Sequence, residues 1–249
     1  MEPRRVSDVA SVVLAPNPSP MTLEGTNTWV LRAPGAPGCI VVDPGPLHEQ
    51  HLALVAGQGP VEVVLLTHGH LDHSEGARRL AELTGAPVRA LDPAHRLGSE
   101  GLGEGDVVAA GGLELRVLHT PGHTGDSLSF LLEDAVLTGD TVLGRGTTVV
   151  AHPDGVLGDY LASLRRLREL GDLTVLPGHG PELASAGVVA EQYLRHREAR
   201  LDQVRAALED GALTPDEVVG TVYADVDPAL WPAARLSVMA QLDHLRASR

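Results

Sequence analysis

"THGHLDHSEGA", residues 67–77, sets three histidines and an aspartate within the six positions from His68 to His73. It follows "VEVVLL", an apolar, β-branched run that reads as a buried strand. It precedes "EGARRLAELTG", which has helical spacing at Ala77, Leu80, Ala81 and Leu83 with Gly85 as a stop. The cluster therefore belongs to a strand-to-helix loop, where a rigid scaffold can aim successive side chains at one centre. Imidazole and carboxylate are donors that borderline metals such as zinc accept, and neutral histidine binds at about 2.0–2.1 Å, so such donors must converge. A polar loop with a few satisfied histidines is the plainer alternative. It gives no reason for so dense a run of ligand-type side chains.

One loop cannot supply a two-metal site, so further donors are sought at other strand ends. "LHTPGHTGD" offers His123, "VLTGDT" offers Asp140, and "VLPGHGP" offers His179. Each follows an apolar run and lies beside glycine, which lets the backbone approach a crowded centre. With His68, His70, Asp72 and His73 these make seven candidate ligands on four loops.

The chain has 249 residues, enough for one large domain with a small appendage and a sizeable core. No apolar run approaches the ~18 residues of a membrane span. Asp8 interrupts the apolar part of the N-terminus and no small-residue cleavage site follows, so no signal peptide is expected. The single cysteine, Cys39, lies in the strand-like "CIVVD" and fits a reducing, cytoplasmic setting. A formal net charge of −14 argues against a general nucleic-acid surface. All 19 basic residues are arginine, with much Ala, Gly and Pro, which reads as coding bias in a GC-rich bacterium.

Strand-like and helical runs intermingle up to about residue 180. "NTWVLRAP" and "CIVVDPG" read as paired strands around a Pro/Gly turn, and "LELRVLHT", "SLSFLLEDAVLTGD" and "LTVLPGHG" as further strands. "GDYLASLRRLREL" is an amphipathic helix with Tyr160, Leu161, Leu164 and Leu167 on one face. From about residue 185 the pattern is all-helical. Thr214, Pro215 and Glu217 form a capping box with proline in the first turn, and Asp227 with Pro228 repeats the device. The expected fold is α+β: sheets sandwiched by helices over residues 1–184, then a small helical cap over 185–249. The cap carries seven arginines against ten acidic residues, and a solvated helical unit is a safer reading than a nucleic-acid reader.

The motifs "THGHLDH", "HTPGHT", "TGDT" and "LPGHG", in this order, resemble the metallo-β-lactamase superfamily over about residues 10–184. The resemblance implies an αββα sandwich with a binuclear site along one edge. His68, His70 and His123 would hold the first metal, Asp72, His73 and His179 the second, and Asp140 would bridge them. Asp43 in "VVDPG" matches a family aspartate that supports the metal loops from behind. Glu75 stands where many members have glycine, which alters the helix start but no ligand. "NPSPMTLEGTNTWV", "TTVVAHPDG" and "YLRHREARLDQV" narrow the resemblance to a branch with a C-terminal winged-helix-like domain. That branch includes the animal lactamase-β-like endoribonuclease and many bacterial hydrolases.

Two divalent ions sharing a water lower its pKa from 15.7 toward about 7 and polarise the bond under attack. The leading expectation is thus a hydrolase that uses a hydroxide bridging two metal ions, zinc or else iron or manganese, to attack an ester, thioester or lactone carbonyl. The glyoxalase-II-like "HTPGHT" and "TGDT" suit this. Asp72 is the side chain best placed to orient the nucleophile or relay its proton, and ligation alone is its simpler role. A small-molecule substrate is expected. Single-stranded RNA is the alternative suggested by the branch, though aromatics are only 2% of the chain and a basic groove is not evident. An iron-dependent redox or binding protein is a third, since spacing does not choose the metal. His48, His51, His95, His152 and His244 read as surface residues and His119 as structural. His196 and Arg197, on the long cap helix, are candidates to approach an anionic substrate, against the usual solvated role of helix arginines.

Overall fold

Side chains alternate across a strand, so an apolar run between two layers feeds two cores at once. The computed structural model, which describes residues 2–247, builds this arrangement from two mixed sheets. The first contains β1 (Arg4–Arg5), β2 (Ala10–Leu14), β3 (Asn27–Leu31), β4 (Cys39–Val42), β5 (Val61–Leu65) and β6 (Val88–Arg89), in that spatial order. Helices α1 (Glu49–Ala56), α2 (Leu71–Ser74) and α3 (Ala77–Thr84) make its crossovers. The pairs β4–β5 and β5–β6 are accordingly parallel. The second sheet holds β7 (Val107–Ala110), β8 (Leu113–His119), β9 (Leu128–Leu131), β10 (Ala135–Gly139) and β11 (Thr174–Pro177), in the order β11-β10-β9-β8-β7. Helix α4 (Leu157–Arg168) links β10 to its parallel neighbour β11. The chain ends in α5 (Ala186–Glu209), α6 (Pro215–Val222) and α7 (Trp231–Ala247).

Strand β4 illustrates the layering. Ile40 and Val42 enter the core between the sheets with Trp29, Leu65, Leu115, Phe130 and Leu137. Cys39 and Val41 enter the opposite core, against Leu52 and Val55 of α1 and Leu80 of α3. A third core covers the outer face of the second sheet: Val136 and Val175 meet Tyr160 and Leu164 of α4, Tyr193 and Leu194 of α5, and residues of α6 and α7. The C-terminal helices therefore share a core with the sandwich.

The expected face of α4 is buried in full at Tyr160, Leu161, Leu164 and Leu167, and the Thr214–Glu217 capping box forms. Some local expectations are corrected. Leu83 is exposed, because the buried face of α3 is set by Ala77 and Leu80. Asp227 and Pro228 open a separate 3₁₀ turn, Pro228–Leu230, before α7.

His51 is no surface residue. It is fully buried on the core side of α1, with Nε2 2.9 Å from the Thr28 hydroxyl, which itself donates to the Asp43 carbonyl. Burial pushes its pKa down to about 4 from an ordinary 6.5. As pH falls, the unfolded ring takes up its proton first. This group's contribution is thus fully present above pH 6.5 and is lost as pH drops toward 4. With metal removed by chelation, the native protein should lose about 2.5 kcal/mol more between pH 7.5 and 4.5 than a His51→Asn variant, measured from denaturant midpoints. Equal pH dependence would mean that the ring charges inside the fold.

Candidate metal centre

Four strand-end loops meet at one edge of the sandwich: 67–74 after β5, 120–127 after β8, 139–141 at the end of β10 and 178–180 after β11. Backbone hydrogen bonds lace the sheets together there. Leu128 N donates to Thr67 O at 2.7 Å, and Asn27 N donates to Gly178 O at 2.8 Å. Gly178 is needed for the close approach, since a Cβ there would lie 2.6 Å from Asp140 Oδ1 and 2.7 Å from His73 Cε1.

The loops bring all seven candidate ligands together. Three groups have donor atoms within 4.8 Å of one another: His68, His70 and His123; Asp72, His73 and His179; and His68, His73 and Asp140. His70 Nδ1 lies 3.1 Å from His123 Nε2, and His179 Nε2 lies 3.2 Å from both His73 Nε2 and Asp72 Oδ2. Asp140 reaches both sides, with Oδ2 3.8 Å from His123 Nε2 and 3.4 Å from His179 Nε2, and Oδ1 3.4 Å from His73 Nε2. Tetrahedral donors about 2.0–2.1 Å from an ion stand about 3.3 Å apart, so the spacing suits shared ions. Two atoms test the fit most directly. His68 Nε2 and Asp140 Oδ1 are buried with no hydrogen-bond partner among the described residues, which is costly for a polar atom unless something else meets it.

The far side of each ring is held. Asp43 accepts from Thr67 N at 2.8 Å, Thr67 Oγ1 at 2.6 Å and His73 Nδ1 at 2.8 Å. Its backbone has φ 51°, a left-handed conformation that costs a non-glycine residue about 1–3 kcal/mol. His179 Nδ1 donates to Gly25 O at 3.1 Å, and His123 Nδ1 to Val149 O at 2.6 Å, so each turns Nε2 toward the cluster. His119 Nε2 donates to Gly125 O at 3.0 Å and closes the loop that presents His123.

Charge divides the cluster. Burial alone would depress His73 and His179, but the Asp140 carboxylate outweighs it with Asp43 for His73 and with Asp72 for His179. His73 is lifted well above its ordinary range and His179 is pushed up to about 9. Burial would raise the Asp140 pKa, yet these two imidazoles hold it well below the usual carboxylate range. His68 and His123 are lowered chiefly by burial. His68 and His123 thus favour neutral, ligating imidazole, while an ion held by His73 and His179 must displace shared protons.

The C-terminal helices grip the segment that orients His123. Arg197 of α5 is buried, contrary to the solvated reading, and donates from Nη2 to Thr148 O. Thr148 Oγ1 lies 3.3 Å from His123 Nδ1. Val150 N donates to Ser237 Oγ at 3.2 Å, and His152 bonds Asp243 at 3.0 Å, both partners on α7. His152 is therefore a half-buried link to α7, away from the donor cluster. His48, His95 and His244 remain partly exposed outside it. Thr148 and the carbonyls of Gly25 and Val149 escaped the sequence reading. Their only signal was membership of branch-like stretches, Gly25 in "NPSPMTLEGTNTWV" and Thr148 with Val149 in "TTVVAHPDG".

Two mixed sheets flanked by helices, with a histidine-carboxylate cluster where their strand ends meet, define a class of metal-site sandwich proteins. The metallo-β-lactamase superfamily model matches residues 21–179, and the chain belongs to that superfamily. A β-lactamase-associated winged helix domain model matches residues 214–248. Among similar curated proteins, a β-lactamase-like protein 2 homolog of Caenorhabditis elegans is 31% identical over 256 residues, covering 97% of this chain and 85% of the relative. An atrochrysone carboxyl ACP thioesterase of Aspergillus fumigatus is 35% identical over 235 residues, covering 85% and 72%. A β-lactamase domain protein from Burkholderia ambifaria has the same fold, with a TM-score of 0.84 at 24% identity over 99% of this chain and 88% of that one. Among the described residues no helix is long and apolar enough to cross a membrane.

Proposed function

We propose that the chain is a binuclear metal-dependent hydrolase of an ester, thioester or lactone. The observation that carries this reading is the convergence of seven donors on one edge, with buried His68 Nε2 and Asp140 Oδ1 left without a hydrogen-bond partner among the described residues. His68, His70 and His123 would hold one divalent ion, Asp72, His73 and His179 the other, with Asp140 between them. Imidazole and carboxylate suit zinc, and iron or manganese remain compatible with the same donors. Two such ions, when bound, supply an ionised water at neutral pH and polarise the carbonyl. The name of the fungal thioesterase relative favours the carbonyl class.

Asp72 is the proposed catalytic side chain. Its carboxylate is 29% exposed against 10% for Asp140, so it is the open acidic group of the cluster. Hydrogen bonding from His179 and the charge of His73 overcome burial and keep it ionised. Through Oδ2 it meets His179, and through Oδ1 it can orient water and take its proton. Water oxygen bonds to the acyl carbon, the C–S or C–O bond breaks, and the proton passes to the leaving group. We place the division of labour at residues 1–184 for this chemistry and 185–249 for the cap, since the proposed ligands end at His179.

Protein purified without added metal and then saturated should hold two ions per chain by elemental analysis and hydrolyse members of a panel of thioesters, esters and lactones. Chelation should remove both properties together. Saturation at one ion per chain, or turnover that survives complete metal removal, refutes the binuclear reading.

A further inference from the structure

Among the described residues, no carboxylate meets the buried charge of Arg197. The residue is 3% exposed; it donates from Nη2 to the Thr148 carbonyl, its guanidinium lies 5.1 Å from the Tyr160 ring, and Nε has no hydrogen-bond partner among the described residues. A guanidinium so far from water costs several kcal/mol unless an anion compensates it. The chain is not short of anions, with 33 acidic residues against 19 basic ones, and arginines elsewhere such as Arg4, Arg79 and Arg166 pair with carboxylates.

Arg197 lies on the wall of a cavity of about 350 Å³, within the range of about 300–1,000 Å³ common for small-molecule sites. The cavity runs from His123 and Asp140 to the C-terminal helices. Arg200 lies on the same wall. Its Nη1 donates to Val222 O and to Gln203 Oε1, its guanidinium lies 4.6 Å from the Tyr223 ring, and among the described residues no carboxylate pairs with it. His196 lines the cavity too, and burial, followed by the neighbouring Arg197 and Arg200 charges, pushes its pKa down. Arg145, at the wall, is already paired with Glu24 at 2.7 Å. Among the described residues Asp140 is the one carboxylate of the lining, and it belongs to the candidate metal cluster. Met21, Leu143, Val226 and Leu230 make the rest largely apolar.

We propose that this cavity binds an apolar chain bearing an anionic group, with Arg197 and Arg200 as its counter-charges, while the scissile carbonyl lies at the metal edge. This rests on the hydrolase reading and narrows its substrate to anionic acyl compounds. The anion could sit on the acyl end, as a carboxylate, or on the thiol side, as a phosphate. Both offer oxygens to guanidinium donors.

The test uses metal-loaded full-length protein and three thioesters of equal acyl length. Octanoyl-N-acetylcysteamine is neutral, the N-acetylcysteamine monothioester of octanedioic acid is anionic on the acyl end, and octanoyl-coenzyme A is anionic on the thiol side. One anionic substrate should exceed the neutral one in kcat/KM by about tenfold or more, mainly through KM, and the winner identifies the source of the anion. Arg200→Leu should bring that ratio toward one while metal content stays at the wild-type level. Arg197→Lys should retain more of the preference than Arg197→Met. Equal turnover of all three thioesters, or a preference that survives Arg200→Leu, overturns the proposal. Should none be hydrolysed, the thioester reading fails and calorimetry with octanedioate decides the cavity. Saturable binding weakened about tenfold by Arg200→Leu supports the anion site, and no binding or unchanged binding overturns it.

Discussion

Asp140→Ala should nearly abolish turnover and leave at most one firmly held ion per chain. Among the described residues, the Asp140 carboxylate is the only donor group whose oxygens approach His73, His123 and His179 together, at 3.4–3.8 Å. Removing it parts the group His68, His70 and His123 from the group Asp72, His73 and His179 and withdraws the charge that compensates the His73 and His179 imidazoles. Outer partners of metal ligands typically contribute 10–100-fold in affinity or activity, so a group reaching both of these groups should cost more than about 10²-fold in kcat. Metal analysis after gel filtration, with circular dichroism as a check on folding, tests this. A folded, active variant with two ions would remove the bridge.

Asp43→Ala should weaken metal binding by about 10–100-fold and cost about 3–5 kcal/mol of stability, although the residue offers no donor to the cluster. Its carboxylate accepts from the Thr67 backbone, the Thr67 hydroxyl and His73 Nδ1. Alanine would leave those buried donors unsatisfied and free the His73 ring to turn. Alanine also retains the left-handed backbone cost at φ 51°. Asp43→Gly removes the same carboxylate and relieves that cost, so it should be more stable than the alanine variant by about 1–2 kcal/mol. Zinc titration in competition with a chromogenic chelator, beside denaturant unfolding, separates the two effects. Unchanged affinity in both variants would show that Thr67 and the strand end position His73 by themselves.

The clustering of the candidate donors was legible because histidine and aspartate beside glycine at strand ends carry a side-chain signature. What holds them was less so. Val149 and Gly25 act through carbonyl oxygens, which every residue possesses. The burial of Arg197 does leave a trace in the sequence: Val189, Tyr193, Arg197 and Leu201 recur every four residues along one buried face of α5. An arginine in such a stripe is more informative than one on an open face. His51 likewise shares the buried side of α1 with Val55, four residues on. The fold followed from continuous apolar runs at the strands, whereas Leu83 fits the apolar spacing of α3 and yet faces outward, because a short helix can satisfy its core with two positions.

The grip of the C-terminal helices on residues 148–152 bears on how such chains can recombine. A crossover near residue 185 respects the change in composition, yet it parts Arg197, Ser237 and Asp243 from the segment they hold. A hybrid joined there would inherit His123 from one parent and the anchors of its supporting carbonyl from the other. The unit that can be exchanged intact between relatives is therefore discontinuous in sequence: the helices together with the loop they clasp.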